Sequence, residues 1–269
     1  MQIWKILTLN SILMLSALVV GTGVFGLSDN MTAPESPKPV ATIEPVYEED
    51  YELPLEQAVV APVIKKAAVG VLPSNLASLP VKKKKATFIK IMLPLIIQEN
   101  AKILREYDLV TNGGNIAHLY KKYKVKAPNK AELLKRIRPI PVSLALAQAA
   151  IESGWGTSYF ARKGNALFGQ HAGKGEKGIP TRRPSNVRVK AYATLSGSIH
   201  DYMRNLNTHP AYKQFRSDRK SATNGLFLAK RLVDYSERKW EYVESLISVI
   251  SFNNFTEFED EQVAFNNVN

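Results

Sequence analysis

The 269-residue chain is 45% hydrophobic and 22% charged, enough apolar side chain for one well-cored domain with extra segments. It has no cysteine, which excludes disulfides, thiolate metal sites, a cysteine nucleophile and a lipid-acylated cysteine near the start. The net charge of +12 is uneven: residues 1–80 hold four Lys against eight Asp/Glu, leaving 32 Lys/Arg against 16 Asp/Glu in residues 81–269. The later part therefore suits a polyanionic partner or surface. No helix-turn-helix, zinc-finger or RNP-type pattern accompanies that charge, so no nucleic-acid partner is expected.

In chain order, residues 1–30 are read as a signal peptide or membrane anchor. A single Lys5 precedes an apolar run from Ile6 to Leu27, 22 residues, long enough for a hydrocarbon core of ~30 Å. The run exceeds a usual signal core and lacks a clean small-residue cleavage site, which favours the anchor; either way the rest is exported. Residues 31–85 are a proline-rich, acidic linker. Eight of the fifteen prolines lie between Ser28 and Pro80, and an acidic cluster runs from Glu44 to Glu56. Polyproline II at ~3.1 Å per residue gives such a tether a reach on the order of 100 Å. Lys82–Lys85 then forms a basic run.

The folded domain is placed at residues 86–253. It opens with a helix over 87–107 carrying Phe88, Ile91, Leu95 and Ile96 on one side, and Pro94 predicts a kink or break near Ile91. Helices follow at 115–123, 128–138 and 142–153, with Pro141 suited to the first turn of the last. Glycines and prolines between His171 and Pro184 exclude helix, and Val187–Tyr192 alternates as a strand does, so 168–192 is a small β-lobe. Helices resume at 196–206, with Ser196 as N-cap, then at 211–215, 225–235 and 240–251. The acidic tail, 254–269, is expected to fray.

One carboxylate stands out. The helix 142–153 is built from small and apolar residues, and Glu152 near its end shares a face with Ala145, Gln148 and Ala149. A carboxylate there meets the negative pole of the helix, and burial beside Trp155 works in the same direction. Both raise its pKa, as a general acid working near neutral pH requires. The bland alternative is a solvated helix-end glutamate.

The stretch from Ala149 to Gln170, AAIESGWGTSYFARKGNALFGQ, resembles the motif of the bacterial glucosaminidases of glycoside hydrolase family 73, especially their Bax-like branch. The likeness continues through GIPTRRP (178–184), the block 189–212 and the block 228–250. It implies a mainly α, lysozyme-like helical domain with a small β-lobe, and a peptidoglycan-cleaving β-N-acetylglucosaminidase in which Glu152 is the catalytic acid.

Glycosidic cleavage usually needs a second group besides the acid. Glu176, the single carboxylate of the lobe, is one candidate, although GKGEKG does not plainly reproduce the family's second acid. Tyr235, in LVDYSERKWEYV, resembles the tyrosine that lies near the family's catalytic Glu, and Tyr242 is its register alternative. A third route needs neither, because a 2-acetamido sugar supplies its own carbonyl oxygen as nucleophile. Trp155, Asn165, Phe168 and Gln170 match family motif positions and are expected to bind N-acetyl sugars, while Arg182 and Arg183 suit peptide carboxylates. The four His lack metal-ligand spacing and neither HExxH nor GxSxG occurs, so no metal or organic cofactor is implied.

The expected partners are peptidoglycan glycan strands and, through residues 6–27, the membrane; location is the periplasm or cell envelope. The sequence does not address oligomeric state. The rival readings are a lytic transglycosylase on the same fold and a catalytically silent wall-binding protein.

Overall fold

The computed structural model describes residues 71–181, 187–220 and 224–260. The apolar run at 6–27, the acidic linker up to residue 70, Arg182 and Arg183, and the end of the tail lie outside the described residues.

The longest element is α1 (Val81–Thr111), a 31-residue helix. The expected break at Pro94 does not occur. Proline removes one backbone hydrogen bond, but Met92, Leu93, Leu95, Ile96 and Ile97 around it are all buried, and their packing holds the helix through the defect. The helix also starts earlier than expected and absorbs the basic run. Cations at a helix N-terminus oppose the dipole. Lys85 offsets this by placing its ammonium 4.8 Å from the Trp155 ring, 5.0 Å from the Phe252 ring and 3.2 Å from Asn253 Oδ1.

Two short helices, α2 (Ala117–Lys122) and α3 (Lys130–Arg136), lead to α4 (Val142–Ser153). Every residue of α4 from Val142 to Ala150 is buried. Its alanines let neighbours approach closely, and α4 packs against α1, α8 (Gly225–Ala229), α9 (Trp240–Phe252) and the 3-10 turn Phe255–Glu257. The helix stops at Gly154, which is left-handed at φ 58°, and Trp155 and Gly156 follow at φ 56° and 79°. Ser153 Oγ accepts from Gly156 N at 2.8 Å and fixes this turn. Ser158 then caps α5 (Tyr159–Gly164).

The lobe is a two-stranded antiparallel hairpin, β1 (Gly178–Pro180) with β2 (Arg188–Lys190), in the register Ile179↔Val189. Lys190 Nζ ties it to α6 (Leu195–Thr208) by pairing with Asp201 at 2.9 Å while also holding Glu176 at 2.7 Å. The cap of α6 is Thr194, whose side chain accepts from Gly197 N, and not the expected Ser196. After α7 (Lys213–Asp218), the helix expected over 225–235 is divided into α8 and a separate 3-10 turn, Val233–Tyr235. That division presents Tyr235 at a turn.

The packed unit is wider than 86–253. Leu72 and Leu76 upstream and Phe255 downstream are buried, and Glu259 bonds both Ser143 and Gly225 N beside the start of α4. The result is the expected class, mainly α with a small β-lobe. Among the described residues no helix is long and apolar enough to cross a membrane.

Leu72, Leu76 and Phe88 close over Gly156, where an added Cβ would lie 2.9–3.0 Å from their side-chain carbons. Gly156→Ala therefore meets both a left-handed backbone and a filled space. It should lower stability by about 2 kcal/mol, read as a fall in the urea midpoint without change of slope.

Candidate active site

Glu152 sits one residue before the end of α4, on the face it shares with Gln148. It lines a cleft of about 370 Å³, including the part open to solvent, together with Phe168, Gly169, Gln170, Asn205, Tyr212, Tyr235 and Ser236. The residue is half-buried and lines the cleft. Desolvation pushes its carboxyl up to about 7, against the opposing influence of the Tyr242 hydroxyl and the positive Arg238. A carboxyl poised there is about half protonated at neutral pH and can both hold and release a proton.

Behind the cleft lies a polar chain of buried groups. The Tyr202 hydroxyl donates to Gln148 Oε1 at 2.7 Å, and Gln148 Nε2 donates to the Tyr242 hydroxyl at 3.0 Å. The Tyr242 hydroxyl in turn neighbours Glu152 and acts against the rise in its pKa. Stacked rings hold the phenols. Tyr242 lies against Tyr235 at 5.5 Å between centroids, and Tyr202 against Phe168 at 3.9 Å, each pair within 6° of parallel. The Tyr235 hydroxyl donates to Phe168 O at 3.2 Å. Burial pushes all three phenols well above the usual tyrosine range, so they remain neutral donors.

Residues 127–255 match the family model described as Glucosaminidase, mannosyl-glycoprotein endo-beta-N-acetylglucosaminidase. That stretch resembles the glucosaminidase family. Protein bax of Escherichia coli (strain K12) is 34% identical over 154 residues, covering 51% of this chain and 55% of that protein. This chain thus spans about half the length of that curated relative. The catalytic domain of the autolysin Auto from Listeria monocytogenes aligns with 78% of this chain and 99% of its own, at 20% identity and a TM-score of 0.44.

Every cleft residue, and the Tyr202–Gln148–Tyr242 chain behind it, falls within the stretch that the family model matches. Of the residues singled out from the sequence, Glu152, Tyr235, Phe168 and Gln170 come together in the cleft. Gln170 is held there by the Tyr192 hydroxyl, 2.6 Å from Gln170 Oε1 and 2.9 Å from Asp201 Oδ2.

Three others stand elsewhere. Trp155 packs edge-on to Phe88 and Phe255, at 5.8 and 6.2 Å, under Lys85. Asn165 caps α5 in a left-handed conformation at φ 50° and donates to the carbonyls of Tyr192 and Ala193. Glu176 turns toward Lys190 and the Gly173 amide at 2.7 Å each, and these partners lower its pKa. It does not line the Glu152 cleft.

Gln148 and Tyr202 are the functional candidates that sequence reasoning passed over. The available signal was a lone amide inside an alanine helix, four residues before the acid, since a buried amide must find partners.

The raised pKa has a thermodynamic consequence. Unfolded, the Glu152 carboxyl ionises near its ordinary 4.5; folded, it does so near 7. Between those values the unfolded chain binds fewer protons, so this group makes stability fall as pH rises. Glu152→Gln removes that loss. The variant should match wild type at pH 4 and exceed it at pH 8 by on the order of 2 kcal/mol, measured by urea unfolding at both pH values.

Proposed function

We propose that the chain is an exported peptidoglycan hydrolase, an endo-β-N-acetylglucosaminidase cutting on the reducing side of N-acetylglucosamine with Glu152 as general acid. The observation that carries this reading is the Glu152 carboxyl, raised by burial toward neutral pH, in a cleft within the stretch that matches the glucosaminidase family model.

In the proposed reaction Glu152 gives its proton to the glycosidic oxygen as the C1–oxygen bond breaks and the electron pair leaves with that oxygen. No second carboxylate lines the cleft among the described residues. The acetamido carbonyl oxygen of the substrate is then the nucleophile at C1, and water later opens the resulting ring, returning a proton to Glu152. Tyr235 supports this from the cleft wall: its oxygen retains lone pairs that can accept from water while its proton is held by Phe168 O. Gln170 and Asn205 offer amide groups for an N-acetyl sugar, and Phe168 and Tyr212 offer apolar surface. Glu176 serves the lobe through Lys190. Residues 6–27, as signal or anchor, and the proline-rich stretch after them would deliver the domain to the wall.

Purified peptidoglycan digested with the full-length chain should yield reducing N-acetylglucosamine ends, identified by mass spectrometry. Glu152→Gln should lower the rate on the order of 10²–10⁴-fold, Glu176→Gln should leave most of it, and the wild-type rate should fall above about pH 7 as the acid ionises. Anhydro ends would identify a lytic transglycosylase instead. Glycan binding without cleavage by wild type would identify a wall-binding protein.

A further inference from the structure

We propose that Gln170 presents its side-chain carbonyl to the Glu152 cleft and accepts there from the acetamido N–H of the sugar, with Tyr192 and Asp201 as the positioning residues that turn the amide that way round. This rests on the reading of the cleft as a site for 2-acetamido sugars.

One proton is contested behind the cleft. The Tyr192 hydroxyl lies 2.6 Å from one end of the Gln170 amide and 2.9 Å from Asp201 Oδ2. A phenol carries a single proton, and an ionised aspartate only accepts. Asp201 is held as an ion by Lys190 Nζ, 2.9 Å from the same oxygen, with Arg204 at 3.9 Å from the other. With the amide oxygen toward Tyr192, two acceptors would therefore face one donor. Whichever lost would meet the phenol lone pair to lone pair at hydrogen-bonding distance. A bond to a carboxylate is the stronger, so the proton goes to Asp201. The amide nitrogen then fits the remaining place and donates to the Tyr192 oxygen, which satisfies all three groups. The two ends of an amide are alike in outline and are assigned by their partners, and here Asp201 decides.

The carbonyl is thereby turned away from Tyr192. Gln170 lines the cleft with Glu152, and the amide end that does not face Tyr192 has no hydrogen-bond partner among the described residues. Its main-chain carbonyl already accepts from Lys190 N at 2.7 Å, which leaves the side-chain oxygen as the free acceptor. Sugar hydroxyls donate or accept, whereas an amide N–H only donates. A fixed acceptor therefore selects a 2-acetamido group, which the NH₂ end would oppose. In the proposed reaction the acetamido oxygen forms its bond to C1 as the C1–oxygen pair leaves on the oxygen protonated by Glu152. Positive charge then spreads to the acetamido nitrogen and its N–H becomes a stronger donor. A carbonyl held beside it stabilises that state more than the bound sugar.

The orientation is read by NMR in the wild-type, full-length chain labelled with ¹⁵N-glutamine, the Gln170 amide being assigned by the signal lost in Gln170→Met. A strong nuclear Overhauser contact between the Gln170 amide protons and the Tyr192 ring is expected, and its absence would overturn the proposal. In turnover of peptidoglycan fragments, Gln170→Met should lower kcat about tenfold with a smaller change in KM. Gln170→Glu keeps an acceptor toward the cleft and should recover most of that loss at its own pH optimum. A Gln170→Glu enzyme as slow as Gln170→Met would overturn the idea, because the cleft would then need the amide's N–H. Tyr192→Phe frees the amide to turn and should lower kcat by less than Gln170→Met does; no change would remove Tyr192 as a positioning residue. Binding of the N-acetylglucosamine trimer, measured by calorimetry, needs no turnover and separates the two readings. Binding weakened in Gln170→Met and restored in Gln170→Glu, in a chain that cleaves no glycan, keeps the recognition and sinks the hydrolase. Cleavage that Gln170→Met leaves unaffected does the reverse.

Discussion

The structure depends on keeping an ionisable group at the end of a helix that is otherwise sealed in the core. Helix α4 is covered by α1, α8, α9 and the turn at Phe255, and its alanines make that covering close. A carboxyl carried on such a helix is drawn out of water by the packing itself. Its charged form loses far more hydration than its neutral form, and the shift toward about 7 follows. Stability and chemistry are therefore set by the same contacts. The side chains that order α4 also tune its acid.

Tyrosine is the residue that reconciles those demands. A carboxylate bonded directly to Lys is held toward its ionised form, as the partners of Glu176 illustrate at the surface. An entirely apolar wall would leave Gln148 and Glu152 without hydrogen bonds, at a cost of about 1–3 kcal/mol each. Phenol rings exclude water with their faces and satisfy the polar atoms with their tips. Tyr202, Tyr235 and Tyr242 do both, and their stacking on Phe168 and on one another leaves the hydroxyls little freedom to point elsewhere. Their own pKa values are driven upward by the same burial, so none competes with Glu152 for a negative charge near neutral pH.

Much of this was legible in the sequence, for identifiable reasons. The helix 142–153, its glycine stop and the lobe are local features, written in proline, glycine and alternation over a few residues. Glu152 was legible because its helix is so apolar that a carboxylate on it is anomalous. What was not legible depends on chain distant in sequence. Pro94 reads as a break until the buried side chains around it are counted. Leu72 and Leu76 read as linker because their burial is supplied by Gly156 and Phe88. Trp155 adjoins the acid in sequence, yet successive left-handed residues turn it toward Phe88, Phe255 and Lys85 instead. The choice between Tyr235 and Tyr242 proved not to be a choice. Stacked 5.5 Å apart, one lines the cleft while the other accepts from Gln148 behind it.

The two carboxylates weighed from the sequence end in opposite electrostatic states. Glu152 is held toward the neutral form by burial, and Glu176 toward the ionised form by Lys190 and a backbone amide. Lys190 also pairs with Asp201, so one cation bridges two carboxylates at the joint between lobe and α6. An ionised carboxylate close to Glu152 would raise the acid's pKa further and slow its loss of the proton. At Glu152 burial, opposed by Tyr242 and Arg238, sets the acid's pKa. In the proposed reaction, positive charge growing at C1 then meets, among the described residues lining the cleft, no carboxylate other than the one left on Glu152. The substrate's own acetamido oxygen is the group placed to answer it, which is why a cleft with a single carboxyl is chemically sufficient for a 2-acetamido sugar and would be poor for a sugar lacking that group.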